Sequence, residues 1–208
     1  MHKIIYIENI KTFGNIYIYD NKIFKLKKNI NEKKEENYTI TGENNNILTK
    51  TRNDSIRVGI ICENILEKDR EYKWKIKILK TKNYNFMVGV APNDYYEQEK
   101  NASYKYGWFF SCDNQRLYSG LPFNYDSKTT NLKKPKNEII VIMNMIKRTL
   151  KFLVDNEDKG DSYKDIPLDK PLSPALLIYD EDDSLEIINY EDWLIIIFIS
   201  KQNIIVVI

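Results

Sequence analysis

The chain has a single histidine, His2, and only two cysteines, Cys62 and Cys112, in 208 residues. This scarcity disfavours Ser-His-Asp and Cys-His catalysis, which need a placed imidazole, and ordinary zinc sites, which need clustered His and Cys. Neither cysteine has a ligand-spaced partner, and reduced, partly buried thiols fit an intracellular protein better than one disulfide. Glycine and proline are sparse, at 7 and 6, and no Gly-rich phosphate loop with its lysine is present. Net charge is missing too: 32 basic and 30 acidic residues leave +2, too little to draw the chain toward nucleic acid or an anionic membrane. No apolar run approaches the roughly 20 residues that span a bilayer. The run at 194–199 and its continuation to Ile208 read as two short buried strands or one hairpin; the alternatives are an exposed tail or membrane-surface attachment. No signal-like segment follows His2-Lys3. The expectation is a cytoplasmic protein with no cofactor, no metal, and no nucleic-acid or membrane partner.

What is there is alternation. Tyr72, Trp74, Ile76 and Ile78 alternate with Lys73, Lys75, Lys77 and Leu79, and Phe86, Val88 and Val90 alternate again after a polar link at 80–85. A period of two puts each set on one face of a strand. Further short runs at 4–7, 15–19, 22–26, 38–41, 47–51, 56–62, 104–112, 117–120, 139–146, 150–154, 176–178 and 185–187 are separated by turn residues such as Gly14, Asp20-Asn21 and Asp155-Asn156. No helical period lasts beyond two turns. Together these features predict an all-β protein of antiparallel sheets packed face to face, with Trp74, Ile76, Phe86, Val88, Phe109, Ile142 and Phe152, or their immediate alternates, directed inward. Residues 27–37, dense in Lys, Asn and Glu, read as a linker. The expected organisation is a β-rich extension at 1–37, a sandwich at 38–190, and a hydrophobic strand or tail at 191–208.

The order of these elements resembles the SPRY (B30.2) family. The resemblance rests on the aromatic-Trp strand followed by Val88-Gly89-Val90-Ala91, on Gly107-Trp108 before a turn and Leu117-Tyr118-Ser119-Gly120, and on the hairpin Met143-Asn144, Leu150-Lys151-Phe152, Asp155-Asn156. It covers about residues 51–188. It implies an antiparallel sandwich of concanavalin-like jelly-roll type, and a protein- or peptide-recognition module working through loops at one end, as found in ubiquitin-ligase adaptors. By position it implies partner binding by Arg52 and Asn53, by Tyr95 and Tyr96, and by Tyr179 and Asp180.

The residues themselves offer other chemistries. Asp180-Glu181-Asp182-Asp183 and the run at 155–161 carry oxygen donors without the spacing of a calcium loop, and read as solvated strand turns. A hydrolase would need a deep cleft joining Asp165, Asp180 and Glu181, with a carboxylate pKa raised by burial. Lys73, Lys75 and Lys77 form a stripe that keeps one sheet face wet, and would bind nucleic acid only beside stacking aromatics. A structural role would use the termini for self-association. Fifteen tyrosines, many in or beside connections, favour recognition, since Tyr supplies rigid area with a hydrogen-bonding tip.

Overall fold

The computed structural model describes residues 4–8, 23–27, 37–53, 57–94, 106–121, 124–189, 196–199 and 203–207. Its strands, in chain order, are β1 (Ile4–Glu8), β2 (Tyr38–Thr41), β3 (Ile47–Lys50), β4 (Val58–Ile61), β5 (Glu71–Lys80), β6 (Phe86–Pro92), β7 (Trp108–Ser111), β8 (Arg116–Leu121), β9 (Asn124–Thr129), β10 (Glu138–Asn144), β11 (Thr149–Val154), β12 (Glu157–Tyr163), β13 (Leu172–Ile178), β14 (Ser184–Asn189), β15 (Ile196–Ile199) and β16 (Asn203–Val207). The expected strand at 15–19 lies outside the described residues.

The chain divides into two compact units, Ile23–Asn189 and the paired termini Met1–Lys22 with Tyr190–Ile208. In the terminal unit β16 lies between β1 and β15, antiparallel to both. The apolar C-terminal run is therefore a hairpin, and its second strand also pairs with the N-terminal strand.

The larger unit is a two-sheet antiparallel sandwich. One sheet has seven strands in the order β12-β11-β10-β5-β14-β3-β2, the other six in the order β4-β13-β6-β7-β8-β9. β5 sits at the middle of the first because its alternation leaves one face fully apolar. Trp74 and Ile76 are completely buried, facing Val141 and Ile139 on β10, while Lys75 on the other face pairs with Glu138 at 2.8 Å. The sheets meet through aromatic and aliphatic contacts such as Phe110 with Phe152, ring centroids 5.6 Å apart. Each buried side chain of this size contributes about 1.5–3 kcal/mol.

Three details of the core resolve or correct the pattern read in the sequence. Ile142 lies opposite Lys73 and Lys151 on the outer face and is half-buried, whereas its neighbours Val141 and Met143 point inward. An unbroken apolar run carries no period, so pairing with β5 decides which face is buried. Phe109 is buried, but on the far face of the six-stranded sheet with Ile61, Met87, Ala91, Tyr118, Ala175 and Leu177; Phe110 fills the space between the sheets. Phe24 and Leu26, grouped by sequence with the N-terminal extension, are buried in the sandwich core. Leu26 bridges to Cys62, and the Phe24 ring lies 5.7 Å from that of Trp74.

Two local features of the resemblance have physical causes. A Cβ on Gly89 would lie 1.9 Å from the carbonyl oxygen of Trp108, so only glycine lets β6 and β7 approach. Asp155 (φ 48°) and Asn156 (φ 66°) both adopt the left-handed conformation, forming the tight connection from β11 to β12 that Asn and Asp tolerate best.

Candidate functional site

Strand direction gathers three connections at one end of the sandwich. β3 ends beside Ser184, since Thr49 faces it, and β5 ends there too, with Lys80 facing Ser184. In the other sheet β4 and β6 both begin beside Ile178, the last residue of β13. Residues 51–53 and Arg57, the link 81–85 and the turn 179–183 therefore share one rim.

Arg52 and Asn53 are exposed on this rim, and Tyr179 and Asp180 are half-buried. Arg57 stands over the Tyr179 ring, 5.7 Å from its centroid. Asn83 donates to the Asp180 carboxylate at 2.9 Å. Tyr84 holds a left-handed backbone, φ 60°, unusual for a bulky residue. Its N–H is bonded to the Thr81 hydroxyl at 3.0 Å, its carbonyl accepts from Phe86 N–H at 2.8 Å, and Lys134 stands 4.6 Å over its ring. Two aromatic rings, each faced by a cation, thus flank the Asn83–Asp180 pair.

Beneath the rim lie two completely buried charged residues, Lys50 and Asp183. The Lys50 backbone joins β3 to the turn through Lys50 N–H to Asp183 O and Asp182 N–H to Lys50 O, both 3.0 Å. Its ammonium donates to Arg52 O at 2.8 Å. The Asp183 carboxylate accepts from Lys82 N–H at 3.2 Å, so one short region ties the three connections together. Burial pushes the Asp183 carboxyl above its ordinary value; hydrogen bonds from Thr81 and Lys82 hold it down in part, and the nearby Asp180 charge adds to the rise.

Of the six residues expected to bind a partner, the structure brings Arg52, Asn53, Tyr179 and Asp180 together. Tyr95 and Tyr96 lie outside the described residues. β6 runs away from this rim and finishes at the other end of the sandwich, where Pro92 faces Leu172 and Asp94 pairs with Lys170 at 2.9 Å. Sequence reading did not single out Arg57, Asn83, Tyr84, Lys134 or Lys50, and Asp183, read with 180–182 as part of a solvated turn, is instead completely buried. The polar spelling of the link and the ordinary look of a lysine at a strand end gave no signal for them.

The carboxylate alternative is not assembled. Asp165 pairs with Arg148 at 2.9 Å, beyond the end of β10 that faces Glu71, whereas Asp180 sits beyond Lys80. The ten residues of β5 separate these positions by about 30 Å at strand rise. Asp155 spends its carboxylate on the N–H groups of Lys136, Asn137 and Glu138 at 2.7, 3.0 and 3.3 Å. Asp158 is held below the usual carboxylate range by its bond to Lys151 and then by the Gly160 N–H. Among the described residues no group of three His, Cys, Asp or Glu is placed to hold a metal. Both thiols are free and buried, and burial pushes each well above the usual thiol range.

The class these observations define is an antiparallel two-sheet sandwich with mixed aromatic and charged loops gathered at one end. A model of the SPRY domain matches residues 71–191, more than half of the chain, and the chain belongs to the SPRY family. SPRY domains are non-catalytic modules that bind protein or peptide partners, and this chain is of that class. Solved structures agree in fold. The SPRY domain of human HERC1 superposes with a TM-score of 0.59 at 18% identity, covering 74% of this chain and 93% of that one. The TRIM65 PSpry domain gives 0.57 at 8% identity over 80% and 92%, and a human SPRY domain gives 0.59 at 14% over 75% and 97%. At these identities the likeness shows architecture alone. No curated protein matches the chain.

Proposed function

We propose that the chain is a cytoplasmic adaptor-type module that captures a protein or peptide on the rim formed by 51–53, Arg57, 81–85 and 179–183. The observation that carries this reading is the convergence of Arg52, Asn53, Tyr179 and Asp180, which the family resemblance grouped, with the cation-faced rings of Tyr179 and Tyr84. Tyrosine supplies apolar burial at low entropic cost, and the flanking Arg52, Asn53 and Asn83 supply polar groups that orient a bound backbone. Two free buried thiols are in keeping with a reducing compartment.

The test compares proteins retained by the wild-type chain with those retained by Arg52→Ala/Tyr179→Ala, first checked for an unchanged melting transition. A specific partner is expected to lose affinity by about 30-fold or more, equivalent to roughly 2 kcal/mol, in this variant. Retention of every wild-type partner by the variant would place the binding surface elsewhere.

A further inference from the structure

The turn that carries Tyr179 and Asp180 is closed over a buried acid. Asp183 is fully buried; its Oδ1 accepts from Lys82 N–H at 3.2 Å, and the Thr81 hydroxyl also donates to the carboxylate. Among the described residues no group donates to its buried Oδ2. An ionised carboxylate in such a place loses hydration without full compensation by hydrogen bonds. The charged groups around it come from every neighbouring segment: Lys50 from β3, Lys80 and Lys82 from β5 and the link, and Asp180, Glu181 and Asp182 from the turn itself. Lys80 is bonded to Asp182 at 2.8 Å and the Lys50 ammonium to Arg52 O at 2.8 Å. The neighbouring charge with the clearest pull, Asp180, opposes ionisation just as burial does.

We propose that Asp183 is a proton-operated latch on this rim: the neutral carboxyl favours the closed turn, and the ionised carboxylate favours a locally opened one in which water reaches it. Closing holds Tyr179 and Asp180 against the link through Asn83, and positions Arg52 through Lys50, so the latch governs how well formed the recognition surface is. That functional consequence rests on the reading of this rim as the partner surface; the latch itself does not.

The sign follows from proton linkage. The closed carboxyl titrates above its ordinary value of 3.8, and the opened one titrates near it. Within the window between those values the ratio of open to closed turn rises about tenfold for each pH unit, then levels off above the closed-state value. Asp183 therefore favours the closed turn on the acid side and loses that effect as pH rises through its closed-state pKa.

The experiment needs no partner. Amide hydrogen exchange at Lys50, Lys82 and Asp182, corrected for intrinsic rates, is followed from pH 4 to pH 7.5 in the wild type and in Asp183→Asn. The wild type is expected to lose protection at these amides as pH rises and then to plateau, while the variant shows a flat profile. Equal pH dependence in both proteins would overturn the latch. Should Asp183→Asn not fold, the carboxyl carbon resonance of Asp183 in the wild type decides: titration at or below the ordinary carboxylate value would overturn the proposal, and titration above it would support it. Rim variants that lose the partner while the latch signal persists would separate the two claims, as would a lost latch signal with partner binding intact.

Discussion

Gly89→Ala is the sharpest perturbation of the frame that positions the rim. The added methyl would meet Trp108 O at 1.9 Å, Trp108 C at 2.9 Å and Phe109 Cα at 3.0 Å. All three are backbone atoms and cannot swing aside. Ordinary contact begins at 3.4 Å, so β7 must move by about 1.5 Å, enough to lengthen the ladder bonds between β6 and β7 beyond useful range. Overpacking costs about 1–3 kcal/mol, and two weakened backbone bonds add about 1 kcal/mol each, giving roughly 3–5 kcal/mol. Urea unfolding followed by tryptophan fluorescence measures this, and an unchanged denaturant slope would show that stability alone changed. Gly160→Ala is the control: nothing lies within 4 Å of its added Cβ, yet φ is +86°, so only a conformational cost of about 1 kcal/mol is expected. A Gly89→Ala loss no larger than the Gly160→Ala loss would refute the close-approach argument.

Asp155→Ala removes the acceptor for three backbone N–H groups and places alanine at a positive φ; partial exposure limits the loss, and about 2–3 kcal/mol is expected by chemical denaturation. The register of β10 predicts that Ile142→Glu, opposite Lys73 and Lys151, leaves a cooperative melt, whereas Val141→Glu, fully buried, abolishes it. Cys62 and Cys112 are both expected to resist a thiol reagent in the native protein and to react in denaturant, because buried thiols with raised pKa values present little thiolate; rapid native labelling of either would contradict their burial.

The sequence disclosed much of this frame because its lysines mark faces. Lys73, Lys75 and Lys77 identify the wet side of β5, so the inward placement of Trp74 and Ile76 follows from period alone. The run at 139–146 has no such marks, so period alone leaves Ile142 and its immediate neighbours as alternates; only the partner strand fixes Val141 and Met143 as the inward pair. The charged stretch at 27–37 looked like a boundary, although Phe24 and Leu26 before it belong to the core, a long-range contact that no local pattern encodes. The rim was legible in part. Arg52, Asn53, Tyr179 and Asp180 stand at connection positions that the family resemblance groups at one end of the sandwich. Tyr84 is different: its role depends on a left-handed backbone that its residue type disfavours. Lys50 and Asp183 are different again, since a lysine and an aspartate beside turns read as solvated until the pairing of β3 with β14 encloses them.

The most direct measurement of the central claim is a binding titration of one retained partner against three proteins: wild type, the rim variant Arg52→Ala/Tyr179→Ala, and Ile146→Ser. Ile146 is 68% exposed, beyond the end of β10 farthest from the rim. The account predicts a loss of about 30-fold or more for the rim variant and wild-type affinity for Ile146→Ser. Undiminished binding by a folded rim variant, with loss in Ile146→Ser, would contradict it.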